Sequence, residues 1–335
     1  MRMTKSLQYV LAGGLVAALA AQADTTTLRG PVMGYVVDGR SQTVRPINGI
    51  PGASHLGAPL ELPFLVAQAV FSSAGDFSLM APAESDGLYL VGNLGATPAV
   101  NRITGAIRPD RMVLNGANTA VALYQAEPRR LQVVRGLPGN PTAGPVLDLA
   151  SLSGAVRALA LDAAGREALL AVADNGRGAL VRISVPEEGE RVEPRSLGVF
   201  GSPSAVVLLN RDRDAVLTDS DTNQLFLIRD FAGEAAVESL ASERDGIANP
   251  VGVEVSLDGR RVFVANAAER GSVLVVELAA RVVELRATPE GAPSRLERLQ
   301  GRTAFLLNEP GEAPLQVLDN VENPEVYFVP AGRDN

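Results

Sequence analysis

The 335-residue chain carries 30 basic and 38 acidic side chains, one histidine and no cysteine, and 46% of it is apolar. That composition supports a globular fold with a sizeable core, and it excludes disulfides, thiol catalysis and zinc or copper centres built from clustered Cys or His. The acidic balance disfavours nucleic acid and anionic membrane surfaces as partners.

The chain opens with MRMTKSLQYVLAGGLVAALAAQA, in which Arg2 and Lys5 precede an uncharged apolar run over residues 9–21 and the small-residue end Ala21-Gln22-Ala23. This order is that of a secretory signal cleaved after Ala23. The apolar run is shorter than the ~20 residues that a membrane helix needs. The expectation is an exported monomer, periplasmic or secreted, that does not insert in the membrane and forms one domain over residues 24–335. Cleavage leaves 28 basic against 38 acidic groups and removes Lys5, the only lysine. Schiff-base and lysine general-base chemistry are then excluded from the mature chain.

Next comes a hairpin pattern, PVMGYVVDGRSQTVRPI (31–47), with Asp38-Gly39 at its expected turn. It matches the last two strands of the unit described next. A Gly/Pro-rich connector, residues 48–64, holds His55. From residue 69 onward one pattern recurs: apolar strand, tight turn, apolar strand, second turn, apolar strand. It is clearest in VGVEVSLDGRRVFVANAAERGSVLVVEL (251–278), with its turn at Asp258-Gly259. Copies occupy 112–137 (turn at Asn115-Gly116), 156–185 (Gly165) and 205–231 (at residues 210–211). Weaker ones occupy 69–94 (Gly75) and 296–320 (Gly301). The mean spacing of about 45 residues leaves room for a fourth strand per copy, the period of a β-propeller blade. Stacked blades bury both sheet faces, which accounts for consecutive apolar residues in GSVLVVEL. ELAARVVELR (277–286) has helical spacing in isolation, but its place in the repeat predicts strand–turn–strand. The fold expected is all-β, a propeller of four-stranded antiparallel blades. Mature length fits seven blades, the closing one shared between the termini; six blades with an appended hairpin is the alternative.

NPVGVEVSLDGRRVFVANAAERGSVLVVEL resembles the YVTN-type bacterial propeller repeat, through its Asp-Gly-Arg turn and Val-Ala-Asn strand end. AVADNGRGALVRI and LTDSDTNQLFLI are similar to NHL-like blades. The resemblance spans about residues 155–280. It implies a fold shared by lactonase-like enzymes, sugar- and protein-binding modules and surface-layer components, and no catalytic motif of these carries over.

Chemistry is sparse in this chain. A Ser-His-Asp triad could use only His55, and Ser202 lies at a blade start without a nucleophile-elbow motif. No glycine-rich phosphate cradle is present. The charged stretch EEGERVEP (187–194) reads as a solvated loop. The oxygens that remain are at second turns: Asp174, Asp219, Asn266 and Asn308, joined by Asp221 two residues after Asp219. These five are the candidate ligand-binding residues. Their alternation in Asp-Ser-Asp-Thr-Asn suggests Ca²⁺, although Gln224 replaces the expected calcium-loop glycine; turn geometry explains the same residues without a cofactor. Arg166, Arg211, Arg260 and Arg302 recur at first turns, on the opposite face, as solvated partners of nearby acids. The function expected is an exported binding or interaction module without its own chemistry, taking a protein or small molecule in the axial funnel. A lactonase-like, calcium-assisted hydrolase and a structural cell-surface repeat protein are the alternatives.

Overall fold

The computed structural model describes residues 30–331, apart from 190–191, 210–211, 269, 302–303, 312–313 and 321–323. The expected signal over 1–23, the turn at 210–211, Arg211 and Arg302 lie outside the described residues. No helix among the described residues is long and apolar enough to cross a membrane.

Strands follow one another with short turns and group into seven antiparallel sheets. Blade 1 holds β1 (Val32–Asp38), β2 (Thr43–Ile50) and β3 (Ala53–Leu56). Blade 2 holds β4 (Val66–Phe71), β5 (Phe77–Pro82), β6 (Tyr89–Gly92) and β7 (Ala99–Arg102). Blade 3 holds β8 (Arg111–Leu114), β9 (Ala120–Gln125), β10 (Arg130–Arg135) and β11 (Thr142–Asp148). Blade 4 holds β12 (Ala155–Leu161), β13 (Glu167–Asp174), β14 (Arg177–Ser184) and β15 (Arg195–Phe200). Blade 5 holds β16 (Pro203–Leu209), β17 (Asp214–Asp219), β18 (Gln224–Arg229) and β19 (Ala236–Ala241). Blade 6 holds β20 (Pro250–Val255), β21 (Arg261–Asn266), β22 (Ser272–Glu277) and β23 (Val282–Ala287). Blade 7 holds β24 (Glu297–Arg298), β25 (Ala304–Leu306), β26 (Leu315–Asp319) and β27 (Glu325–Val329). Residues 277–286, which read as helical in isolation, close β22 and form most of β23, so cross-strand pairing overrides local propensity.

The first strand of each blade lies innermost, and these strands touch in series from β1 to β24. Seven apolar clusters hold the ring together, one between each pair of neighbouring blades. Alternation along a single strand shows how. On β13, Ala168, Leu170 and Val172 pack towards blade 3, while Leu169 and Ala171 pack towards blade 5. A strand between two apolar neighbours therefore has no polar face, and its sequence reads as an unbroken run. The molecule is a seven-bladed β-propeller.

Three expectations need correction. The hairpin 31–47 is not the outer pair of a blade: β1 and β2 are the inner two strands of blade 1. The connector 48–64 is not simply a loop, because its residues 53–56 form β3 against β2. Finally, the residues that take the left-handed conformation at the first turns of blades 1 and 3 are Gln42 (φ 53°) and Asn118 (φ 57°), not Gly39 and Gly116. Blade 1 has three strands, and its outer edge meets the other end of the described chain. There Leu56 donates its backbone N–H to the Pro330 carbonyl at 3.0 Å and forms a parallel bridge with Ala331.

Candidate functional site

The antiparallel register fixes which chemistry lies at which end of the ring. Asp219 pairs with Pro203 at the start of β16, and Asn266 pairs with Pro250 at the start of β20. Second turns therefore lie at the beginning of the inner strands, beside the blade-to-blade connections. Asp219 is fully buried there, and its carboxylate accepts from the backbone N–H groups of Gly201 (2.7 Å), Ser202 (2.9 Å), Asp221 (3.0 Å) and Thr222 (3.2 Å). Asn266, also buried, accepts from the Ala248 N–H (3.1 Å) and donates to the Gly246 carbonyl (2.9 Å) and the Ser272 hydroxyl (3.0 Å). Asn308 accepts from the Gln316 N–H (2.7 Å) and donates to the Pro314 carbonyl (3.1 Å). Asp174 is exposed and accepts only a local bond from the Asn175 amide, and Asp221 is exposed too. Asp219, Asn266 and Asn308 thus hold the backbone of their own blades and connections, whereas Asp174 and Asp221 stay exposed.

The donor set also tests the calcium idea. A cation needs oxygens whose lone pairs face it. Asp219 turns both oxygens towards N–H donors, and the Asn223 oxygen accepts from the Asn249 N–H at 2.7 Å. These residues do not fit a calcium loop. Among the described residues there is no group of three or more His, Cys, Asp or Glu placed to hold a metal ion. His55 is exposed on β3 of blade 1 and Ser202 precedes β16 of blade 5, so the two share no site.

At the opposite end of the ring, where the inner strands finish, lies a cavity of about 790 Å³ on the axis. Ligand pockets typically enclose roughly 300–1,000 Å³. Its walls are the last residues of β8, β12, β16 and β20, largely valine and leucine, with Phe71 from β4. Its mouth is formed by first turns, and hydrogen bonds tie these turns to one another. The Gln300 amide donates to the Ala74 carbonyl (2.9 Å) and the Gly301 N–H to the Ser73 carbonyl (3.1 Å), linking blade 7 to blade 2. Asn118 donates to the Ser73 hydroxyl (2.8 Å), linking blades 3 and 2. Asn115 donates to the Asp162 and Ala163 carbonyls (3.2 and 2.8 Å), linking blades 3 and 4. The Ala163 N–H donates to Asp212 (2.5 Å), linking blades 4 and 5. A collar of turns thus pre-organises the rim.

Charge inside the cavity is concentrated on the blade 5–7 side. Arg298 donates to Glu254 at 2.8 Å and to the Val255 carbonyl, and its guanidinium lies 4.7 Å from the centre of the Phe305 ring. Burial pushes the Glu254 carboxyl above its ordinary value, against the opposing pull of Arg298. Burial also raises Asp212, opposed by the Ala163 N–H and helped by the nearby Asp162 charge. Asp258, at the exposed tip of the blade 6 turn, is lowered by hydrogen bonds from the Ser256 hydroxyl and the Arg260 N–H. Arg166, from the first-turn arginine set, forms an exposed pair with Glu187 at 3.2 Å. Sequence reading passed over Glu254, Arg298 and Asp212. Two of them carried a visible signal, charge inside the innermost strand of a repeat: a lone one in VGVEV and an adjacent Glu-Arg pair in LERLQ.

No protein-family model matches the sequence, and no curated protein matches it either. Solved structures do match in shape. A functionally unknown protein from Desulfotomaculum acetoxidans superimposes with a TM-score of 0.64 at 11% identity, covering 90% of this chain and 100% of that one. A Bacteroides uniformis protein described as a "putative 6-phosphogluconolactonase" gives 0.62 at 13% identity, covering 89% of this chain and 96% of that one. Its counterpart from Bacteroides fragilis gives 0.60 at 13%, covering 89% and 97%. At such identities the likeness carries the propeller fold and no chemistry.

Proposed function

We propose that this propeller is a binding module whose ligand, a small molecule, occupies the axial cavity at the first-turn end. One observation carries the reading: a cavity of ligand size, about 790 Å³, framed by a hydrogen-bonded collar of turns from five blades. Asp219, Asn266 and Asn308 then serve as structural caps. The binding face is the one opposite to them. A lactonase-like activity, the competing reading, would need a general base in the same cavity. Asp212 and Glu254 are its carboxylates of raised affinity for protons, and Glu254 is held by Arg298. The sequence kinship to YVTN and NHL-like repeats belongs to this proposal as well, and it fits either reading.

The test uses Nile red, a neutral apolar dye whose fluorescence rises on leaving water. It should bind one molecule per chain. Val207→Phe, which fills the cavity from β16, should weaken binding at least about tenfold with little change in melting temperature. Undiminished binding to that variant would place the dye elsewhere and remove the axial cavity from consideration. Turnover of a δ-lactone that disappears in Asp212→Asn or Glu254→Gln would move the protein to the hydrolases.

A further inference from the structure

The charges of the cavity restrict what can enter it. Among its described lining residues are three carboxylates, those of Asp212, Glu254 and Asp258, and a single guanidinium, that of Arg298. Arg298 is committed to Glu254 at 2.8 Å and to a backbone carbonyl. Asp212 has one hydrogen bond, from the Ala163 N–H, and no ion pair with a described residue. It stands three residues after the apolar end of β16 at Leu209, in the left-handed conformation (φ 64°). The wall is largely aliphatic, and Leu257, also in the lining, is 63% exposed. The site therefore combines an apolar bowl with one carboxylate, Asp212, that has no ion pair with a described residue, while Asp258 lies near the charges of Arg260 and Arg261.

We infer that the axial cavity selects amphiphilic cations, molecules with an aliphatic body and an ammonium or similar head, and rejects anions of the same shape. This deepens the reading of the cavity as a binding site and rests on it. The aliphatic body fills the space between the inner strands. The head stays at the collar, within reach of Asp212, and keeps part of its hydration. A phosphorylated sugar fits this site poorly. It would bring a dianion beside Asp212, into a described lining whose one guanidinium, Arg298, is already held by Glu254 and whose one aromatic ring is Phe71.

The experiment compares three probes with one alkyl chain by calorimetry: octylammonium, octan-1-ol and octanoate, each below its micelle concentration. Octylammonium should bind about tenfold more tightly than octanoate, a gap that narrows as salt is added. In Asp212→Asn the gap should shrink to about twofold, whereas octan-1-ol should bind that variant as it binds the parent. Asparagine tolerates the left-handed backbone, so this variant keeps the turn. Equal binding of all three probes, or preference for octanoate, would overturn the charge selection while leaving the cavity as a binding site. Octylammonium binding that Val207→Phe leaves unchanged would also overturn it, by placing the probe outside the cavity. Failure of the cavity reading itself shows separately, in Nile red binding that the same variant does not weaken.

Discussion

Asp219 and Asp174 occupy equivalent places in neighbouring blades and have opposite surroundings. Asp219 is 1% exposed and caps four backbone N–H groups, two of them in the connection that feeds β16. Removing its carboxylate strands those donors, so Asp219→Ala should lose about 3 kcal/mol by chemical denaturation. Asp174→Ala should change stability by less than about 0.5 kcal/mol. Melts of the parent in calcium and in EDTA should coincide, because the Asp219 oxygens already face donors. A rise of several degrees with calcium would restore the carboxylates as ligands. Asp212 gives a pH signature. Its folded-state affinity for a proton is raised above the ordinary value of 3.8. The folded state then holds that proton more tightly than the unfolded chain does, so the group favours folding at low pH. The benefit fades as pH rises from about 3.8 through the raised value, where the buried charge begins to cost stability. Asp212→Asn removes that dependence, so the variant should gain on the parent as pH is raised across the acid range. A parallel pair of stability–pH curves would contradict this.

Within each blade, the first turn is the most regular element. One residue with positive φ recurs there in every blade: Gln42, Gly75, Asn118, Gly165, Asp212, Gly259 and Gly301. Glycine supplies this conformation without strain and asparagine supplies it cheaply. A Cβ added at Gly259 would meet no atom within 4 Å, so only backbone strain opposes substitution. Gly259→Ala should therefore cost about 1 kcal/mol, and Gly259→Asn distinctly less, in denaturation experiments. Equal losses would mean that the side chain matters more than the backbone. The same series explains what the sequence made legible. Asp-Gly and related turns between apolar runs marked the repeat, and its period gave the architecture. The register shifts that recur near the start of the inner strands, as between Val156 and Ala158 or Pro203 and Ala205, left no such mark. A bulge depends on how two strands meet, and no single residue announces it.

For the whole molecule, the blade count depended on β1–β3, the least regular part of the sequence. His-Leu at the end of a Gly/Pro-rich stretch gives no strand signal, and β3 exists because β2 offers it an edge. The site was less legible than the fold, since a cavity on a propeller axis is assembled from residues far apart in the chain, from Phe71 to Leu299. Recurring Asp and Asn at second turns drew the eye to the end of the ring opposite the axial cavity. Three of them, Asp219, Asn266 and Asn308, hold backbone groups of their turns and connections there. The export expected from the first 23 residues has a simple check, because Lys5 is the only lysine. Amine-reactive labelling of protein recovered from outside the cytoplasm should modify the α-amino group alone, with Asp24 as first residue. A second label per chain would show the leader retained.

Blade 1 also sets how the ring would bear load. Residue 31 leads into its innermost strand and residue 331 rests on its outermost, so a pull on these two points acts on one blade. Against that pull stand, among the described residues, the backbone bridge at Leu56, the sliding contact of Met33, Val36 and Ile47 on blade 7, and the bonds from Gln300 and Gly301 to the blade 2 turn. Dispersion contacts resist shear far less sharply than a ladder of hydrogen bonds in register. In mechanical terms the propeller is a split washer: stretched by its ends it should yield first at the blade 1–blade 7 joint, with a rupture force below that of any later event, while the other blades are still wound.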